Sequence, residues 1–475
     1  MPEQRGSKKV VGDYFFALSQ RDMESGSMVH TFKLHGLMLA LDVESGAVHV
    51  LDEPAYFAVR EMAGGRAEGE VWSVLESRYG AATAEEVMAE INSLRNDGLL
   101  FSSRRPLDLV WDGVVKALCL HLAHDCNLHC SYCFAGGGTF GGDRSLMSAE
   151  VALRAVDFLL DVSGGRRYCE IDFFGGEPLL NFAVLQDTVA YGRARAKVLG
   201  KELKFTVTTN AFYLPPAVQE YLNSENLSVV LSLDGRREVH DRMRRRPGGG
   251  GSFQQVLDNC RSLVAGRDGD NYYVRGTYTR GNLDFSNDVL AMANDGFTRI
   301  SLEPAVLPDN SPEALRFSDL PRLEQEYERL TELLWQMEQG GRRVRFFHFE
   351  LDLLQGPCAR KRAQGCGAGA AYLAVTPDGG LYPCHQFAGF ERFRAGDVFS
   401  GPGGAVLKQF QALDAQGKED CRTCFARGFC GGGCHASAWL INRDLQVPYG
   451  LSCALHRKRV ECGLYLQARR LLAAK

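Results

Sequence analysis

Close to the N-terminus, apolar and β-branched residues run in three short bursts, Val29 to Leu34, Leu37 to Val43 and Ala47 to Leu51, the last two parted by Glu44-Ser45-Gly46. Bursts of this length predict three short antiparallel strands. Helical patterning follows. Asp52 caps a helix with Pro54 in its first turn, where a missing N–H is harmless. A second helix covers about Glu70 to Tyr79. Thr83-x-x-Glu86 reads as a capping box opening a third, which buries Val87, Ile91 and Leu94 on one stripe and ends at Gly98. Beyond this the pattern alternates. Strands at Val115 to Leu122, Glu170 to Phe174, Lys204 to Thr208, Ser228 to Leu233, Tyr272 to Tyr278 and Arg299 to Glu303 are separated by helical stretches. These run from Ser148 to about Val162, then Phe182 to Leu199, Pro216 to Leu222, Phe253 to Ala265 and Phe285 to Ala293, with Leu320 to Gln339 last. Strands alternating with helices imply an α/β fold with a parallel sheet and right-handed crossovers.

These patterns divide the 475 residues into a tail (1–27), a small module (28–103), an α/β domain (115–350), a cysteine-bearing segment (356–456) and a closing helix (457–475). Hydrophobic content of 45% and charged content of 24% describe a globular protein, and a formal net charge of -4 leaves no general electrostatic footprint for nucleic acid. The basic run Arg242-Met243-Arg244-Arg245-Arg246 reads as a solvated loop, and Gly248 to Gly251 as a mobile one. No apolar stretch reaches membrane-spanning length and the first residues lack a signal-peptide core, so the expected location is the cytoplasm, with no membrane partner.

Fifteen cysteines change the picture. In a reducing compartment, clustered cysteines mean metal rather than disulfides. Cys119, Cys169, Cys260 and Cys462 fall outside any spacing and read as buried apolar residues. Cys126, Cys130 and Cys133 form a compact set of three, one thiolate short of a closed zinc or 4Fe–4S site. Either the fourth ligand of a zinc knuckle lies elsewhere, or one iron of a cluster is left open. Farther on come Cys366, Cys384, the run Cys421-x2-Cys424-x5-Cys430-x3-Cys434, and Cys453, with Cys358 upstream as an eighth thiol. Eight thiolates suit two 4Fe–4S clusters, although C-x2-C pairs also build zinc ribbons.

The C-x3-C-x2-C spacing, with Tyr132 before its last cysteine, resembles the signature of the radical SAM enzymes. The resemblance implies a partial (β/α)6 barrel whose open iron is chelated by the amino and carboxylate groups of S-adenosylmethionine, which is then cleaved to an adenosyl radical. Gly175-Gly176-Glu177-Pro178 resembles the family's GGEP motif. Its glycines let backbone approach a ligand closely, and the resemblance makes that ligand the amino group of S-adenosylmethionine. Ser232, at a strand end, is implied as a contact to the same cofactor. The C-terminal array is similar to the seven-cysteine SPASM pattern. By that resemblance Cys366, Cys384 and Cys434, with Cys358 as fourth ligand, hold one auxiliary cluster, and Cys421, Cys424, Cys430 and Cys453 hold a second. The sheet and three helices at the start resemble the winged-helix-like module on which a leader peptide adds as an extra strand. A purely structural wing and a DNA-binding winged helix are the competing readings, and no basic recognition helix appears in the sequence to favour the latter.

The strings Leu34-His35-Gly36, Leu41 to Glu53, Gln355-Gly356-Pro357-Cys358 and Tyr382 to Phe387 resemble the maturases of six-cysteines-in-forty-five-residues (SCIFF) peptides. The resemblance implies thioether bonds from peptide cysteines to carbons of acceptor residues such as Thr, a leader-bearing cysteine-rich precursor as partner, and a flavodoxin or ferredoxin as electron donor. His385 stands where sulfatase-maturating enzymes place a catalytic Asp, and is the candidate base. Those enzymes and peptide C–C cross-linkers remain the alternatives among oxidoreductases. A zinc-stabilised peptide-binding scaffold is the non-catalytic one.

Overall fold

The computed structural model describes residues 28–103, 113–267, 269, 271–351, 353 and 363–473; the expected tail and Cys358 lie outside the described residues. The chain forms two compact units that divide between Arg105 and Pro106.

In the first unit β1 (Val29–Leu34), β2 (Leu37–Asp42) and β3 (Val48–Leu51) form an antiparallel sheet in that order. Helices α1 (Glu53–Ala63), α2 (Glu68–Tyr79) and α3 (Ala81–Asn96) follow. Asp52 caps α1 as expected, its Oδ1 accepting from Ala55 N–H at 2.9 Å. The capping box does not form. Gly80, at φ +90°, turns the chain so tightly that α3 starts at Ala81; Thr83 falls inside the helix and no side chain caps its end. Val59, Val71, Leu75, Met88 and Ile91 close the core of this unit, with Leu94 half-buried against it.

In the second unit the strands are β4 (Ala117–His124), β5 (His129–Cys130), β6 (Ser145–Leu146), β7 (Tyr168–Gly175), β8 (Glu202–Thr209), β9 (Ser228–Ser232), β10 (Arg244–Arg245), β11 (Tyr272–Tyr278), β12 (Arg299–Pro304), β13 (Arg345–Phe346), β14 (Tyr372–Val375) and β15 (Leu381–Tyr382). The main sheet runs β13-β12-β11-β9-β8-β7-β4-β14-β15. The pairings from β13 to β14 are parallel, and β15 is antiparallel at the edge. All six strands expected from the alternating pattern are present. The cysteine-bearing segment is not a separate layer, because β14 extends the same sheet on the far side of β4.

Alternation along the strands gives the sheet two unlike faces. Ile171, Phe173, Phe205 and Val207 are buried. Helix α4 (Phe182–Val198) presses against that face so closely that a Cβ on Gly192 would lie 3.0 Å from the Phe205 ring. The opposite face carries Asp172, Thr206 and Thr208, which are only partly covered. A polar, half-open face on a parallel sheet departs from the doubly covered arrangement such sheets usually have. Among the described residues no helix is long and apolar enough to cross a membrane.

Helix α5 (Arg237–Met243) buries His240 completely. Its Nδ1 accepts from Asp234 N–H at 3.4 Å, and Nε2 faces Ser252 Oγ at 3.0 Å. Burial holds its pKa down to about 4, against an ordinary value of about 6.5. The folded state therefore binds fewer protons than the unfolded chain, and this contribution to stability is complete above about pH 6.5 and lost as pH falls toward 4. Urea unfolding of wild type and His240→Gln across that window should show a shallower pH dependence in the variant; parallel curves would contradict this account.

Candidate active site

Strand β4 ends at the loop that bears Cys126, Cys130 and Cys133. The three thiols lie within electrostatic reach of one another; burial is the main influence pushing Cys126 up to about 12 and Cys130 up to about 11, and the neighbouring thiols add to it. Cys126 Sγ accepts from Leu128 N–H and from Asn210 Nδ2, each at 3.5 Å. Pairing of β5 with β10 sets Cys130 opposite Arg244. Such N–H donors favour thiolate over thiol, the state a metal requires.

The GGEP turn locks this loop in place. A Cβ on Gly175 would fall 2.3 Å from Ala123 O, and one on Gly176 would fall 2.1 Å from Asp125 O. The close approach that the two glycines permit seats the turn on the end of β4 and the first residue of the cysteine loop. The Glu177 carboxylate is buried and turned inward, Oε1 accepting from Leu179 N–H and Thr209 Oγ, and Oε2 from Asn210 N–H. Pro178 opens the short turn that follows.

Tyr132 OH donates to Asp234 Oδ2 at 2.5 Å. The same oxygen accepts from Arg244 Nε at 3.0 Å, while Oδ1 accepts from Thr277 N–H at 2.9 Å. Asp234 is fully buried and Arg244 nearly so. The guanidinium also hydrogen-bonds the Cys130 thiol, pulling its pKa down against burial. The basic run is therefore no solvated loop: Arg244 is a buried partner of both an aspartate and a cysteine. Nothing in its spacing marks it, since only the fold brings Arg244 to Asp234, just past β9, and to Cys130 of β5.

On the polar sheet face, strand register places Ser232 beside Arg275 of β11, which lies beside Ser301 of β12. His121 pairs with Phe174 across β4 and β7. Over this face sits His385. Its Nδ1 is 3.1 Å from Tyr372 OH, and its ring centroid lies 4.8 Å from Phe174 and 5.7 Å from Phe134, the residue after Cys133. Burial, with Arg275 nearby, holds His385 down to about 4, so its imidazole is neutral near pH 7. Two further histidines, absent from the sequence reading, adjoin it. His121 is fully buried, with Nδ1 3.1 Å from His124 Nε2 and Nε2 without a hydrogen-bond partner among the described residues.

The C-terminal cysteines gather into two sets. Burial, Cys434 and Cys366 together push Cys384 well up. Cys421, Cys424, Cys430 and Cys453 form the other set; burial raises Cys453 to about 12, with Cys430, Cys421 and Cys424 contributing. Gly431, Gly432 and Gly433 all hold positive φ, and this local turn lets Gly433 N–H reach Cys430 Sγ at 3.2 Å. The described cysteines are free of disulfides. Among the described residues no three such side chains converge closely enough to grip a single ion. Grouped thiols, buried at Cys384 and Cys421, partly covered at Cys424, Cys430 and Cys453 and exposed at Cys366 and Cys434, are a donor chemistry that would suit an iron–sulfur cluster, three in one set and four in the other.

Residues 120–277 match the family model of the Radical SAM superfamily. This stretch, about a third of the chain, holds the three-cysteine loop and the GGEP turn and is similar to a class that works with a 4Fe–4S cluster and S-adenosylmethionine. The radical SAM cyclopropyl synthase TigE of Paramaledivibacter caminithermalis is 22% identical over 58% of this chain, which spans 58% of that relative's length. A cysteine-type anaerobic sulfatase-maturating enzyme of Clostridium novyi is 23% identical over 69% of this chain and 88% of its own. Among solved structures, native anSMEcpe with bound AdoMet gives a TM-score of 0.63 at 18% identity, covering 76% of this chain and 100% of that one. Streptococcus suis SuiB bound to S-adenosylmethionine gives 0.53 at 15% identity, covering 89% and 97%. These likenesses fix the α/β fold with its parallel sheet.

Replacing Arg244 by Met strands the Asp234 carboxylate without its cation in a buried site. Such a break costs about 3–5 kcal/mol. Urea unfolding of the metal-free protein should register that loss, with Arg244→Lys recovering part of it; wild-type stability in Arg244→Met would remove the assigned role.

Proposed function

We propose that this chain is a radical SAM peptide maturase that forms thioether cross-links in a cysteine-rich precursor peptide of the SCIFF type. The observation that carries the reading is the meeting of its two cysteine regions on one polar sheet face: Phe134, directly after Cys133, and His385, directly after Cys384, flank Phe174. A peptide residue on that face would touch both regions at once.

In this reading Cys126, Cys130 and Cys133 hold the first cluster, with Tyr132, Gly175 to Pro178 and Ser232 around S-adenosylmethionine. Cys366, Cys384 and Cys434, completed by Cys358, hold one auxiliary cluster, and Cys421, Cys424, Cys430 and Cys453 hold the other. When bound, these groups supply hydrogen-atom abstraction from an unactivated carbon and an acceptor for the electron left over. The net change breaks one C–H and one S–H bond and makes one C–S bond, so a hydrogen atom, a proton and an electron leave. His385, neutral and hydrogen-bonded to Tyr372, takes the thiol proton. In the N-terminal unit β1 and β3 each pair only with β2 among the described residues. Each leaves an edge on which a leader segment can add as a strand. A flavodoxin or ferredoxin supplies electrons.

The similarity to a sulfatase-maturating enzyme supports a second reading, formylglycine formation. His385 in place of the Asp expected there, and the added N-terminal unit, count against it.

Anaerobically reconstituted protein, reductant, S-adenosylmethionine and a leader-bearing cysteine-rich peptide should yield 5'-deoxyadenosine. The peptide should lose two hydrogens per bridge, with one cysteine becoming resistant to alkylation. Replacing Cys126, Cys130 and Cys133 by Ala should abolish both products. Two-hydrogen loss with every cysteine alkylatable would replace thioether formation by another oxidation. Zinc without sulfide would replace catalysis by a binding role.

A further inference from the structure

The two C-terminal cysteine sets share one buried cation. Lys418 is only 1% exposed, a burial that lysines rarely reach without an anionic partner. Its Nζ donates to Gly432 O at 2.7 Å and stands 3.3 Å from His435 Nδ1. No carboxylate joins it among the described residues. An ammonium removed from water with only a carbonyl and an imidazole for company is poorly compensated.

The anions within its reach are thiolates. Besides the burial that lowers its own pKa, Lys418 feels Cys421, Cys430 and Cys453 of one set and Cys434 of the other. In return it pulls Cys421 and Cys430 down against the burial that raises them. Of its two contacts, Gly432 lies between Cys430 and Cys434 and His435 directly follows Cys434, where the sets adjoin. One amine therefore faces both donor sets at the point where they meet.

We propose that Lys418 is the shared counter-charge of the two C-terminal cluster sites, a positioning residue that sets how readily each is reduced. The inference rests on reading those cysteines as 4Fe–4S ligands. A cube held by thiolates is negatively charged and gains one more negative charge on reduction, and its potential follows local charge and hydrogen bonding. A fixed positive charge beside it stabilises the reduced form and raises the potential. The effect is larger at the Cys421 set, which brings three thiols toward the amine, than at the set containing Cys434.

The test uses full-length protein in which Cys126, Cys130 and Cys133 are replaced by Ala, so that only the auxiliary signals remain, and adds Lys418→Met, Lys418→Gln or Lys418→Arg. Iron and sulfide content is measured first, then the midpoint potentials by EPR-monitored redox titration. The expected result is a shift of both midpoints to lower potential in Met and Gln, larger for one cluster, with Arg near the parent. Neutral variants that lose auxiliary iron while Arg retains it also support a charge requirement. Unchanged potentials in iron-replete Met or Gln would overturn the proposal, as would loss of iron in Arg as well. A parent protein without auxiliary iron would overturn the cluster reading, and this inference with it.

Discussion

One buried carboxylate ties the cysteine loop to the sheet. Asp234 accepts from Tyr132 of the loop, from Arg244 of β10 and from the Thr277 N–H of β11. A carboxylate wholly out of water is tolerable only with such a set of donors. Because Arg244 also hydrogen-bonds Cys130, the loop cannot move without unpairing a buried anion and a buried cation together. The position of the first thiol set is thereby written into the sheet.

The sheet serves that set through the asymmetry of its faces. The face covered by helices is an apolar core that any chain of this class needs. The other face is polar, partly open and fed by residues from separate stretches: His121 from β4, Phe174 from β7, Arg275 from β11, Tyr372 from β14 and His385 beyond it. Burial keeps His385 neutral.

Much of this was legible in the linear pattern, for identifiable reasons. Strands and helices alternate with clear periodicity, and all six expected parallel strands are present. Asp52 and Ser148 cap as their chemistry suggests. What escaped depends on contacts between distant segments. The capping box at Thr83 lost to the tight turn at Gly80. Arg244 looked like one of several solvated arginines because its partners lie ten residues away at Asp234 and over a hundred away at Cys130. His121 lay inside an apolar run that reads simply as a buried strand. Lys418 carries no spacing signal at all; its meaning depends on where four cysteines fold. Cys358 lies outside the described residues, so the fourth ligand expected for the first auxiliary set stays with the sequence reading.

The junction where Gly176 meets Asp125 has a wider meaning. Backbone rests on backbone there, with no room for a side chain, so the seat of the loop is insensitive to which side chains surround it. Strand-end residues are then free to diverge, each new combination inheriting the same fixture for its starting chemistry.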